Sequence, residues 1–278
     1  MGGPIQRQHD QSPTAVFVSI DHHFTEGGYG TRLRDIWAAC TAAIAQLSVG
    51  QDVIAVIKGF PTPWHEQAVV LRLILVDVPH RFLNSEDDGF VFQASQTHYI
   101  YAPDSGLDLP KLQAALVDTP TVLAINLFAT KADGTGYAHV WLKQPVGSQG
   151  FVRQPNPVWA SRVELVQYRV QPQPTSAHID IVLQVLEKPK PGVDYHWTFR
   201  LFGEERQIAA RDIAGVHPAS WQADDLIYLA LDVPLADAVS PTRLRIGSYT
   251  YPEIKNVLVS IPGQPVTEGV SLPISMPR

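Results

Sequence analysis

Two rhythms of apolar and polar residues divide the chain. In the first half, short apolar runs alternate with stretches of helical period. "AVFVSI" (15–20) reads as a strand. "TRLRDIWAACTAAIAQL" (31–47) reads as a helix, because Leu33, Ile36, Trp37, Cys40, Ile44 and Leu47 recur at spacings of three and four, with Thr31 as its cap. "DVIAVIKG" (52–59) is a β-branched run closed by glycine, as a buried strand would be. "PWHEQAVVLRLILVD" (63–77) and "DLPKLQAALVD" (108–118) predict two more helices, each with proline near its first turn. "HRFLN" (80–84), "GFVFQA" (89–94), "THYIYAP" (97–103), "TVLAINLFA" (121–129) and "YAHVWLKQ" (137–144) predict strands. This alternation implies a three-layer α/β domain over 15–146 with a mostly parallel sheet.

The second half loses the helical period. "PVGSQGFVRQPNP" (145–157) reads as a linker. Beyond it, runs such as "VELVQYRV" (163–170), "HIDIVLQVLE" (178–187), "DYHWTFRLFG" (194–203), "DLIYLALDV" (225–233) and "TRLRIGSYTY" (242–251) alternate partially and are separated by turn residues. That spacing predicts an antiparallel, Ig-like β-sandwich over 157–262. A Pro-rich tail, 263–278, is expected to lie along another surface. The fold class expected is therefore α/β followed by all-β.

Composition agrees with a β-rich globular chain: 45% hydrophobic residues, only 17% charged, and 23 prolines. A net charge of −6 provides no bulk attraction for a polyanion, so nucleic acid is not an expected partner. A single cysteine, Cys40, allows no intrachain disulfide and no cysteine zinc site, and its apolar helical setting predicts a buried thiol. No run approaches the length of a membrane helix, and the polar opening "MGGPIQRQHDQSPT" has no signal-peptide core, so neither element is expected.

One stretch concentrates candidate chemistry. "DHHFTEGGYGTRLRD" (21–35) sets His22, His23 and Glu26 beside Gly28 and Gly30, then Arg32 and Arg34, between a strand and a helix. A phosphate would find free N–H groups and close-approach glycines there. However, Leu33 takes the third glycine position of a dinucleotide loop, and the next strand ends in Lys58 rather than an acidic residue. Adjacent histidines on an extended strand point to opposite faces, which disfavours a shared metal. The preferred reading is a polar strand-to-helix connection; a nucleotide- or metal-dependent enzyme with its site at 21–34 is the alternative. No hydrolase elbow, P-loop or D-x-D motif appears, and "EDDG" (86–89) reads as a hairpin turn. No catalytic residue, metal or cofactor is therefore assigned.

Aromatics crowd the second half: Trp159, Tyr195, Trp197, Trp221, Tyr228, Tyr249 and Tyr251. They could serve as core or as a sugar-stacking platform. Trp197 and Phe199 share one strand face, which favours the core, and a free-standing carbohydrate-binding or scaffolding protein is the remaining alternative. In the segment 196–253, the "FRLF" strand is followed by "ARD", "SWQADD", "LDVPL" and "RLRIGSYTY". Trp197, Asp212, Pro218, Trp221, Asp224, Asp225, Pro234, Gly247 and Tyr249 carry this pattern. It resembles the C-terminal extracytoplasmic region of bacterial family 39-type membrane glycosyltransferases, the dolichyl-phosphate-mannose mannosyltransferase-like group. The resemblance extends more loosely to residues 31–260. It implies a non-catalytic module at the outer face of a bacterial membrane, contacting glycan, lipid-linked sugar or a membrane-embedded transferase portion, with Trp221 among the ligand candidates. Catalysis in that group belongs to a membrane part that this chain lacks, so no catalytic residue carries over.

Overall fold

The computed structural model describes residues 33–93, 96–102, 105, 123–128, 137–142, 156–160, 162–235 and 240–274. The chain is mostly β, with several antiparallel sheets. The expected strand at 15–20, the expected helix at 108–118 and most of the expected linker lie outside the described residues.

Strand β1 (Val53–Ile57) is buried along its whole length, as five consecutive apolar residues require. It pairs in parallel with β2 (His80–Asn84) on one side and β4 (Thr97–Tyr101) on the other. β6 (Tyr137–Leu142) then pairs antiparallel with both β4 and β5 (Leu123–Phe128), giving the order β2-β1-β4-β6-β5. This sheet is mixed rather than mostly parallel among the described residues. Only eight residues join Phe128 to Tyr137, fewer than a parallel crossover needs, so the last pair closes as a hairpin.

Helix α1 (Leu33–Ile44) turns Ile36, Ala39, Cys40 and Ala43 inward, and α2 (Glu66–Ile74) turns Ala68, Leu71 and Ile74 inward. They pack with Val53, Ala55, Ile57 and Ile100. Burial pushes the Cys40 thiol up to about 12, so it is an inert core side chain. His65 caps α2: its Nδ1 accepts from the Ala68 N–H at 3.3 Å, while its Nε2 sits 2.7 Å from the Lys58 carbonyl oxygen. The intervening residues of β1 and β4, Ile54, Val56, Tyr99 and Tyr101, belong to a second and larger core.

That larger core is built mainly by two antiparallel sheets. One runs β15-β7-β8-β9-β12-β3, from β15 (Val259–Ser260), β7 (Val158–Trp159), β8 (Val163–Pro172), β9 (Ser176–Val185), β12 (Leu226–Pro234) and β3 (Gly89–Phe92). The other centres on β13 (Arg243–Tyr251). β10 (Asp194–Gly203) pairs along one edge of β13 and carries β11 (Arg206–Ile213) beyond it. β14 (Lys255–Val257) and β16 (Gly269–Pro273) share the other edge of β13. Alternate residues of β10 point inward, Tyr195, Trp197, Phe199 and Leu201, and meet Ile179, Ile181 and Leu183 of β9 in one core. Trp159 meets Trp197 edge-on at 5.3 Å. The segment read as a tail supplies a strand, β16.

The segment Gly89–Phe92 departs most from expectation. "EDDG" turns, but it does not close a hairpin with β2. It carries the chain out of the mixed sheet and into the six-stranded one, where Phe92 pairs Leu226 and Gly89 pairs Leu229. Gly89 is required there, because a Cβ would run into the Tyr228 carbonyl oxygen and come within 2.9 Å of the Leu229 side chain.

A buried arginine locks this crossing. Arg81 of β2 grips both carboxylate oxygens of Asp225, just ahead of β12; its Nη2 donates to Oδ1 at 2.9 Å and its Nη1 to Oδ2. Nη1 also donates to the Ser220 carbonyl at 2.6 Å, and Nε lies 2.8 Å from Asp52 Oδ2. Gln222 donates to Asp52 Oδ2 at 3.0 Å, and Gln93 donates to the Asp52 backbone carbonyl at 2.7 Å. Burial works to raise the Asp52 carboxyl and Arg81 opposes it.

Two substitutions test this framework. Arg81→Met strands two buried carboxylates and is expected to cost about 3–5 kcal/mol, read as a lower urea midpoint. Gly89→Ala is expected to cost about 1–3 kcal/mol by overpacking against β12, in the same assay.

Candidate functional site

Alternation that sends one side of β10 and β13 into the core turns the other side outward. His196 stands opposite Tyr249, and Asp194 stands opposite Tyr251. Three rings gather there. The His196 ring lies 4.9 Å from Tyr251 at an interplanar angle of 29°, and 5.3 Å from Tyr249 at 34°. Tyr251 is 50% exposed, while His196 and Tyr249 are half-buried at its side. Inward-pointing Tyr195, Trp197 and Ser248 hold the strands beneath, and the Ser248 hydroxyl donates to the His196 carbonyl at 3.0 Å.

Polar groups border the rings. Asn256 of β14 pairs with Tyr249 across the ladder and is exposed. Asp212 of β11 lies on the same face, opposite Thr198. The Tyr249 hydroxyl is raised above the usual phenol range by partial burial, then by the nearby Asp212 charge and by Tyr251. Asp194 pairs with His217 at 3.0 Å, and His217 meets the Phe60 ring edge-on at 5.3 Å. The loop after β1 therefore reaches the border of the aromatic platform. Aromatic faces flanked by an amide and a carboxylate suit a hydroxylated ring with apolar C–H faces.

The expected candidates fall elsewhere. His22, His23, Glu26, Gly28, Gly30 and Arg32 lie outside the described residues. Arg34 falls within α1, but its side chain is outside the described set. Trp221 is wholly buried: its ring stacks on Tyr195 at 5.7 Å and its indole N–H donates to the Val216 carbonyl. Trp159, Trp197 and Tyr228 are buried as well. Of the seven aromatics singled out in the sequence, Tyr249 and Tyr251 stand on the outward face. His196 was missed, although "YHWTF" contains the signal: once Tyr195, Trp197 and Phe199 point inward, His196 must point out.

Two other clusters of titratable groups lie away from this face. His178 lies between Asp232, at 2.8 Å from Nδ1, and Asp180, at 3.2 Å from Nε2. Hydrogen bonding to Asp180 leads the influences that lift His178 to about 9, so it is held protonated at neutral pH and is no general base. Burial works to raise Asp180, but His178, the Tyr228 hydroxyl and Arg169 together carry it below the usual range. The second cluster is a histidine pair in the mixed sheet. His98 Nδ1 lies 3.1 Å from His139 Nε2, and the rings stack 5.4 Å apart. Burial, then His98, lowers His139 to about 4, and burial lowers His98. With Gln96 donating to His98 Nε2, the pair is neutral, His98 Nδ1–H donating to His139.

Among the described residues no group of three or more His, Cys, Asp or Glu side chains is arranged to hold a metal ion. A cleft beside β16, lined by Pro157, Ile261, Gln264 and Thr267 together with residues 269–272, contains no titratable side chain. Comparison with family models, with curated proteins and with solved structures returns no match.

The histidines predict opposite arms of a pH–stability profile. His139 and His98 have lowered folded values, so their contribution is full above the ordinary histidine value of about 6.5. It is lost as pH falls through about 4, the folded value of His139. His178 has a raised folded value, so its contribution is full below about 6.5 and is lost as pH rises through about 9. Melting temperatures across this range should fall at both ends, with His139→Asn flattening the acid arm and His178→Gln the alkaline arm.

Proposed function

We propose that the chain is a non-catalytic module that contacts glycan through the His196–Tyr249–Tyr251 platform. The observation that carries this reading is the three-ring cluster on the outward face of β10 and β13, half-open to solvent and bordered by Asn256 and Asp212. Large aromatics normally leave water for a core, and this chain buries Trp159, Trp197 and Trp221 in that way. Rings left outward, side by side, with amide and carboxylate groups at their border, favour recognition over packing.

The same reading extends to architecture and setting. In it, an α/β domain precedes an Ig-like sandwich, as the resemblance to family 39-type membrane glycosyltransferases implies. The module works at the extracytoplasmic face of a bacterial membrane, and its ligand is a glycan or lipid-linked sugar handled by a membrane-embedded transferase partner. Among the described residues no helix is long and apolar enough to cross a membrane, so membrane contact in this reading comes through that partner. Gly247 and Tyr249, two residues of the motif that carries the resemblance, lie on the platform face of β13, which links motif and ring cluster.

The test is binding of soluble oligosaccharides to the full chain by calorimetry, with Tyr249→Ala/Tyr251→Ala as the variant. Loss of two stacking rings should weaken binding roughly tenfold or more while the melting temperature stays within a few degrees. Unaltered affinity in a folded variant rejects the platform as the site.

A further inference from the structure

Beyond the aromatic end, the same face of β13 becomes basic. Its outward residues run Tyr251, Tyr249, Gly247, Arg245 and Arg243. Arg243 is already engaged: its guanidinium lies over the Phe202 ring at 4.8 Å and its Nη2 is 3.5 Å from Glu205. Arg245 is different. It stands directly opposite Arg200 of β10, and both are exposed. The flanking positions in the same row are Ala210 on β11 and Ser271 on β16. Among the described residues neither guanidinium has a carboxylate within ion-pair distance. Like charges directly opposite on a sheet are destabilising, and the chain as a whole carries a net charge of −6. An unneutralised arginine pair on an acidic protein marks a place for an anion from outside.

Resting on the glycan reading above, we propose that the ligand is an acidic glycan whose carboxylate or phosphate is taken by Arg200 and Arg245 while a neighbouring sugar ring stacks on Tyr249 and Tyr251. The four strand steps from Tyr249 to Arg245 span about 14 Å at the usual strand rise, so the ligand is an oligosaccharide rather than a single sugar. Gly247 keeps the path between the two ends low. A Cβ there would come 2.9 Å from the Thr198 methyl group and 3.2 Å from the Glu268 carbonyl oxygen, so a side chain would force its neighbours to shift. Arginine suits the task because its planar fork engages carboxylate or phosphate oxygens in pairs.

The experiment compares two oligosaccharides of equal length, neutral mannohexaose and an acidic hexagalacturonate, on the full chain. The variants are Arg200→Gln/Arg245→Gln and Tyr249→Ala/Tyr251→Ala, with melting temperatures as the check on folding. The expected result is tighter binding of the acidic hexamer, lost by roughly tenfold in the arginine variant, while mannohexaose binds both proteins alike. Added sodium chloride should weaken only the acidic ligand. Equal affinity for the two hexamers, or an acidic affinity unchanged in the arginine variant, overturns the charge assignment and leaves the platform reading intact if the tyrosine variant still loses binding. Failure of both hexamers to bind overturns both. Arginine-dependent capture by phosphatidylglycerol vesicles without saccharide binding also overturns the proposal, in favour of a lipid surface.

Discussion

The two-carboxylate grip on Arg81 is the interaction on which the arrangement of sheets depends. It joins β2 and the residue before β1, both in the mixed sheet, to the residue before β12 in the six-stranded sheet. A guanidinium taken out of water gains little net stability even when paired. Its value here is positional, because any other docking of the two sheets would separate Asp225 from Arg81 and leave the arginine with Asp52 alone. The same docking brings the Ser220 carbonyl, and with it the short 3-10 turn Pro218–Ser220, against β2. His217 caps that turn and reaches Asp194 at the edge of the aromatic face. A buried charge in one half of the molecule thus helps define the border of a surface on another sheet.

Much of this was legible in the sequence, element by element. Alternation in "DYHWTFRLFG" and the unbroken apolar run of "VIAVI" describe one strand with two different faces and one strand with two similar ones, and both appear so. What was not legible depended on distance along the chain. Phe92 and Leu226 pair across more than a hundred residues, and nothing in "GFVFQA" states which sheet it will join. Arg81 reads as one more polar residue in an alternating strand, since its partners, Asp52 and Asp225, are remote in sequence. Trp221 entered the ligand candidates through the resemblance carried by "SWQADD", but the turn Pro218–Ser220 carries the ring inward onto Tyr195. For the candidate site, the tyrosines were visible and the histidine was not. Period-two patterning identifies outward residues only after the inward set is chosen.

The aromatic inventory divides by role along single strands. On β10, Tyr195, Trp197 and Phe199 stabilise the interior, and His196 between them faces outward. In the proposed role, a strand of this kind couples recognition to packing, because the backbone beneath the outward ring is held by its buried neighbours. In that role, a backbone held in this way would lower the ordering entropy that a ligand must overcome. The titratable clusters serve differently. His178, protonated between carboxylates, and His98 with His139, neutral and buried, are held in opposite charge states by their surroundings, and neither arrangement leaves a base free for proton transfer at neutral pH.

The crossing of Gly89–Phe92 into the six-stranded sheet also has a meaning for synthesis. Its partner, Leu226–Leu229, leaves the ribosome only after more than a hundred further residues have been made. Until then Phe90 and Phe92 have no strand beside them, and the emerging first half carries an open apolar edge of the type that recruits other chains. Helix α2, β1 and β2 can assemble early from near neighbours, but the native enclosure of this edge waits for the distant strand. The molecule is therefore tied together in time as well as in space, and its first half reaches its final form only when the second has been translated.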